Sequence, residues 1–175
     1  MKNLLTKKSY FITIYLNQVK NTDLRGGKTL KLSTKGRYGL RAAFDLALHY
    51  GEGPQPLRDI AERQEISEPY LEQLMSALRK AGLLKSIRGA QGGYVLAADP
   101  AEITVGSVIR ALEGATCMVE CTDEDGRCAK ADHCPARLVW QRIQASIDGV
   151  MNSLTLQDML EDYKNLNADA YMYYI

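Results

Sequence analysis

The chain has 175 residues, enough for one domain with an appendage and too few for two full domains. Its 46% hydrophobic and 25% charged residues suit a buried core, and the longest apolar run near the start, Tyr10 to Leu16, is far short of the roughly 20 residues that cross a bilayer. The net charge of +1 hides three unlike parts: six basic residues against one acidic in 1–29 (+5), ten against seven in 30–98 (+3), and six against thirteen in 99–175 (−7). A basic front and an acidic back predict a division of labour.

Lys7 and Lys8 ahead of the early apolar run imitate a secretory signal, but the run is short, contains Thr13 and lacks a small-x-small cleavage site. All four cysteines lie between Cys117 and Cys134, too close together to staple distant parts of a secreted chain, so a reducing cytoplasm is expected. Residues 1–29 are basic and lack a helical period. They are read as a start-site artefact or as a disordered basic arm. In the first case translation begins at Leu30 through a TTG codon, with Arg25-Gly26-Gly27 encoded by a purine run resembling a ribosome-binding site. In the second the arm adds non-specific affinity for DNA.

From Ser33 or Thr34 a capped helix is expected to run to about His49, with Leu40, Phe44, Ala47 and Leu48 along one face. Gly51-Glu52-Gly53-Pro54 ends it, and a short helix follows over Leu57 to Gln64. Ser67-Glu68-Pro69 opens the next helix: a cap, an acid near the positive end, and a proline where no N–H is needed. Leu71, Leu74, Met75 and Leu78 form its buried stripe and Gly82 stops it. Two helices joined by Glu65-Ile66-Ser67 make a helix-turn-helix. Leu83 to Ile87 and Tyr94 to Ala97 then read as strands around a glycine-rich tip, Arg88 to Gly93. A hairpin in that place is a wing, and Arg88 at its tip suits a phosphate backbone or a narrow minor groove.

Thr104 caps a helix over Val105 to Glu113, and the cysteines follow as C-x3-C-x6-C-x5-C at Cys117, Cys121, Cys128 and Cys134. Three readings compete for this set: an iron–sulfur cluster, a structural zinc, and free thiols forming switch disulfides. Close C-x2-C knuckles of the zinc kind are missing, which favours iron and sulfur. Pro135 opens a long helix to about Asn152 whose wide stripe of Leu138, Val139, Ile143, Ile147, Val150 and Met151 is expected to pair with its copy in a second chain rather than only with the core. Thr155 caps a short last helix to about Asp162, and the chain ends Tyr171-Met172-Tyr173-Tyr174-Ile175. The expected fold is therefore mainly α with a small β wing: a winged helix-turn-helix over 30–98, sensor loop and dimerisation helices over 99–165, and an aromatic tail over 166–175. His49 reads as an ordinary helix-end histidine. Phosphate-loop, nucleophile-elbow and H-E-x-x-H patterns do not occur and only two histidines are present, so no enzyme is expected. The other contrast is a winged helix used only as a protein-interaction module.

Lys31-Leu32-Ser33-Thr34-Lys35-Gly36-Arg37-Tyr38-Gly39, Ile60 to Gln64, Tyr70 to Leu74, Leu78 to Leu83 and Arg88 to Tyr94 together resemble the Rrf2 family of bacterial transcription regulators, with its IscR, NsrR and CymR types. The resemblance covers residues 30–175. It implies a homodimeric winged helix, crossed by its long C-terminal helices, that binds an inverted repeat in double-stranded DNA and acts as a repressor. In family terms the second helix of the motif enters the major groove with Ser67, Tyr70, Glu72 and Gln73; Arg88, Gly89 and Gln91 form the wing contact; Lys35 and Arg37, with Arg79 and Lys80, meet phosphates.

The resemblance also bears on the cysteines. Cys121, Cys128 and Cys134 match the three IscR-like ligands of an iron–sulfur cluster, 2Fe-2S or 4Fe-4S. Arg137 stands in place of the histidine and cannot ligate, leaving Cys117 as the leading fourth ligand ahead of His133. Arg37 occupies the place of the NsrR-like carboxylate. The tail resembles that of CymR-like members, which implies the alternative of a regulator of cysteine metabolism controlled by cysteine synthase, with Tyr174 and Ile175 as the docking residues.

Overall fold

Ser33 is extended and caps the first helix, its hydroxyl accepting from the N–H of Lys35 at 3.1 Å, and α1 (Thr34–Leu48) follows. The computed structural model describes residues 33–89, 91–114 and 130–172. Residues 1–29, expected to be an artefact or an arm, lie outside them.

α1 buries Gly36, Gly39, Ala42, Ala43, Asp45, Leu46 and Ala47. Of the expected stripe only Ala47 is inside; Leu40, Phe44 and Leu48 are half-buried at its margin. The shift has a steric cause. α1 is packed on by later helices from several sides and by the second strand of the wing, so small residues face the closest neighbours and bulky ones cover the edges.

α2 (Leu57–Gln64) buries Ile60 and Ala61 and stops at Glu65, which adopts a left-handed φ of 54° so that its N–H turns back to the carbonyls of α2. α3 (Glu68–Lys80) starts after Ser67 and buries Leu71, Leu74, Met75 and Leu78, the stripe expected. Ser67 holds the cap position but its side chain makes no cap hydrogen bond, contrary to expectation; Pro69 lies in the first turn as expected. Gly82, at φ 77°, ends α3 while Leu83 N–H donates to the Leu78 carbonyl at 3.0 Å.

The wing is an antiparallel pair, β1 (Leu84–Ile87) and β2 (Gly93–Leu96), with Leu84 opposite Leu96 and Ile87 opposite Gly93. That register sends Leu84 and Leu96 into the core and leaves Lys85, Ser86 and Ile87 outside. α4 (Val105–Glu113) is capped by Thr104, which accepts from Ser107 N–H at 3.1 Å. A 3₁₀ turn (Ala131–His133) leads to α5 (Pro135–Ser153). α6 (Leu156–Met172) opens with a capping box: Thr155 N–H and hydroxyl both donate to Asp158, whose own N–H returns to Thr155.

α6 runs ten residues past its expected end at Asp162, into the segment read as a separate tail. Neither glycine nor proline interrupts it, and the Tyr163 ring lies edge-on to Phe44 with centroids 5.7 Å apart, so α1 supports the second half of the helix. Leu156 is fully buried, and backbone bonds from Val105 to Leu154 and from Leu156 to Ile103 fasten the corner between α5 and α6 beside α4.

Among the described residues, the one buried charge within this apolar core is Asp45, only 1% exposed. Arg63 on α2 grips its carboxylate through Nε (3.0 and 3.2 Å) and Nη2 (2.6 Å), and Gln64 Nε2 donates to Oδ1 at 2.9 Å. The bond to Asp45 outweighs partial burial and raises the Arg63 guanidinium above its ordinary pKa, so the arginine stays charged. Replacing Asp45 with Ala leaves that fork and the Gln64 amide without their acceptor, and should cost about 2–4 kcal/mol in urea denaturation. Glu65→Gly removes the left-handed strain, and the same measurement should show a gain of about 0.5–1 kcal/mol.

Candidate nucleic-acid interface

The apolar stripe of α3 faces α1, which leaves the opposite face of the helix outward. Ser67, Glu68, Glu72 and Gln73 are exposed there and Tyr70 is half-buried. Tyr70 does not stand alone: its ring meets Tyr38 of α1 edge-on, with centroids 6.1 Å apart. The guanidinium groups of Arg37 and Arg41 lie 5.9 and 5.5 Å from the Tyr38 ring centre. Arg37, Tyr38, Arg41 and Tyr70 thus form a continuous cationic and aromatic surface across two helices.

Lys35 and Arg37 project outward from the first turn of α1. Arg41 is further restrained, donating from Nε to Gln64 Oε1 (3.1 Å) and from Nη2 to the Gln64 carbonyl (2.8 Å) at the end of α2. Sequence reasoning singled out Tyr70, Lys35 and Arg37 but missed Tyr38 and Arg41. The signal available was their three-residue spacing, which puts them on one helix face.

The hairpin tip brings Arg88, Gly89 and Gln91 together, all exposed, with Gly89 at φ 125°. Gln55 and Tyr94 exchange backbone hydrogen bonds of 2.9 and 2.8 Å, so the residues just before α2 act as a third rung on the wing. The rung is close: a Cβ on Gly93 would stand 2.2 Å from the Gln55 carbonyl oxygen. Gln55 Oε1 also accepts from Arg63 Nη2 at 3.1 Å, extending the Asp45 network to the wing. On the other side, Arg79 Nη1 donates to Ser86 Oγ at 3.4 Å, linking the end of α3 to β1.

Of the four cysteines only Cys134 lies among the described residues; Cys117, Cys121 and Cys128 do not, nor do Tyr174 and Ile175 of the tail. Cys134 is a half-buried free thiol at the N-cap of α5. Its place and chemistry fit a cluster ligand. Exposed His133 precedes it, and Arg137 follows in the first turn with a buried Nε that has no hydrogen-bond partner. Among the described residues no group of three or more His, Cys, Asp or Glu side chains could hold a metal ion.

α5 buries none of its residues; Leu138 (57%), Val139 (51%) and Val150 (55%) are exposed. Among the described residues no helix is long and apolar enough to cross a membrane.

Residues 32–162 match the Rrf2 family model, described as an iron-dependent transcriptional regulator. The transcriptional regulator CymR of Bacillus subtilis is 50% identical over 146 residues, spanning 83% of this chain and all of its own. Its solved structure, described as that of the global cysteine regulator, covers 75% of this chain and 96% of its own with a TM-score of 0.63. IscR of Serratia proteamaculans is 44% identical over 133 residues, 76% of this chain and 80% of its own. The structure of T. potens IscR is 52% identical, covers 85% of this chain and all of its own, and has a TM-score of 0.69.

Because the oxygen facing Gly93 belongs to backbone, Gly93→Ala has no side chain to push aside. It should lose about 1–3 kcal/mol of stability and, in hydrogen exchange, protection at the amides of Gln55 and Tyr94.

Proposed function

The chain belongs to the Rrf2 family of transcriptional regulators, and on that premise we propose that it is a cytoplasmic repressor that reads an inverted repeat as a homodimer and answers to an iron–sulfur cluster. The observation that carries the DNA reading is the outward face of α3, set beside the Arg37, Tyr38 and Tyr70 surface and a basic wing. In this reading α3 enters the major groove. Glu72 accepts from a cytosine amino group, Gln73 pairs with the edge of adenine, and Ser67 and Tyr70 meet bases or phosphates nearby. Arg88, carried by Gly89 and Gln91, enters the minor groove, while Lys35 and Arg37 hold phosphates.

The exposed apolar residues of α5 support dimerisation, since a helix with no buried face in one chain finds it against a second copy. Two-fold symmetry then sets half-sites about one helical turn apart. Selection of bound fragments from random DNA should return an inverted repeat, and Arg88→Ala should weaken its binding at least about tenfold. Bound sequences without two-fold symmetry, together with an Arg88→Ala protein that binds normally, would sink this assignment.

Cys121, Cys128 and Cys134 would hold the cluster, with Cys117 as fourth ligand. When bound, the cluster supplies a centre sensitive to oxidation, nitric oxide and iron supply. This chain's own part is to couple the acidic segment to α5, and so to the spacing of the two recognition helices. Anaerobically purified protein should be coloured, contain iron and acid-labile sulfide, and change its affinity for DNA when stripped. Colourless protein with neither, and a Cys121→Ala variant equal to the parent in DNA binding, would remove the sensor.

The likeness to B. subtilis CymR favours a second reading of the signal: a regulator of cysteine metabolism that docks cysteine synthase through Tyr174 and Ile175. Both readings share the DNA surface. Deleting those two residues should abolish capture of cysteine synthase in a pull-down, and undiminished capture refutes docking.

A further inference from the structure

The first turn of α1 is held from outside its own helix. Glu113, the last residue of α4, brings Oε1 to 2.8 Å from the Gly36 N–H, and the same oxygen accepts from the Ser33 hydroxyl. One carboxylate oxygen thus takes a backbone donor that α1 cannot satisfy itself and fixes the capping serine, whose Oγ in turn accepts from Lys35 N–H.

Two glycines make room for this contact. A Cβ on Gly36 would stand 2.8 Å from Glu113 Oε1, and a Cβ on Gly39 would stand 2.1 Å from Leu112 Cδ1. The last two residues of α4 therefore key into one face of α1, and the outward basic residues of that turn are Lys35 and Arg37. A carboxylate is an unexpected neighbour for a phosphate-binding turn. By charge alone it would repel DNA, so its hydrogen bonds must carry its purpose. On the other side of Glu113, Gly114 leaves the helix at φ 79°, and Cys117 follows three residues later in the chain.

We propose that Glu113 is a positioning residue for DNA binding: its clamp on Ser33 and Gly36 aims Lys35 and Arg37 at the phosphates. The proposal deepens the regulator reading above and rests on it.

The test uses the full chain, an inverted-repeat duplex obtained by selection from random DNA, and affinity measured across a salt series. Glu113→Ala frees both donors, so affinity should fall about fivefold to tenfold. The slope of log K against log salt should flatten by about 0.9 for each phosphate that is no longer neutralised. Glu113→Gln, whose amide oxygen can still accept from both donors, should recover most of the affinity. Circular dichroism and thermal melting keep the variants comparable, and a variant that is merely less folded lowers the active fraction without flattening the slope. Tighter binding by both variants means that Glu113 is only a repelling charge; an Ala variant equal to the parent in affinity and slope, or a Gln variant as weak as Ala, likewise overturns the positioning role. If the parent itself binds no specific site, regulator reading and positioning role fall together.

Discussion

The Asp45 carboxylate organises the winged unit. A charge 1% exposed costs several kcal/mol to desolvate, and it is tolerated here because Arg63 and Gln64 supply three donor groups from the next helix. Apolar packing alone would allow α2 to slide along α1, since methyl groups have no preferred register. A fork on one carboxylate does not. The network also extends at both ends: Arg41 reaches from α1 to the end of α2, and Arg63 reaches Gln55, whose backbone pairs with Tyr94 of the wing. Helix-turn-helix and wing are thereby set at a fixed angle.

α1 serves as the axis between two halves of opposite charge. One side carries the Asp45 network, another the glycine face that admits Leu112 and Glu113, and a third the Tyr38 ring against Tyr70 of α3. The +3 of residues 30–98 is small but unevenly placed: Lys35, Arg37, Arg79 and Arg88 lie outside while Asp45 is buried and neutralised. From the acidic residues 99–175, Glu113 meets the very turn that carries Lys35 and Arg37. α5 stands apart from this, with an apolar stripe that its own chain leaves open.

Much of the fold was legible in local patterns. The three-residue turn from Glu65 to Ser67, the stripe of Leu71, Leu74, Met75 and Leu78, the stop at Gly82, and Thr104 and Thr155 as caps depend on neighbours within a turn or two, where spacing and capping chemistry are strong signals. The length of α6 was not, because Phe44, more than a hundred residues earlier in the chain, supports its continuation at Tyr163. Of the site, the outward residues of α3 and the wing tip could be named from the motif. The spacing of Tyr38 and Arg41 puts them on one helix face, but what that face reaches, Tyr70 and Gln64 on other elements, is not written locally.

By itself the sequence determined a winged helix-turn-helix with a cysteine-rich, acidic second half, because helix periods, caps, turn residues and cysteine spacing are written over short distances. Only the tertiary structure decided which face of α1 is inside, that Asp45 is buried against Arg63, and that Glu113 closes the start of α1 from the end of α4. Each of those contacts joins side chains 18 or more residues apart. A carboxylate reads the same in sequence whether it faces water or a guanidinium, and what separates the two is the packing that removes the water.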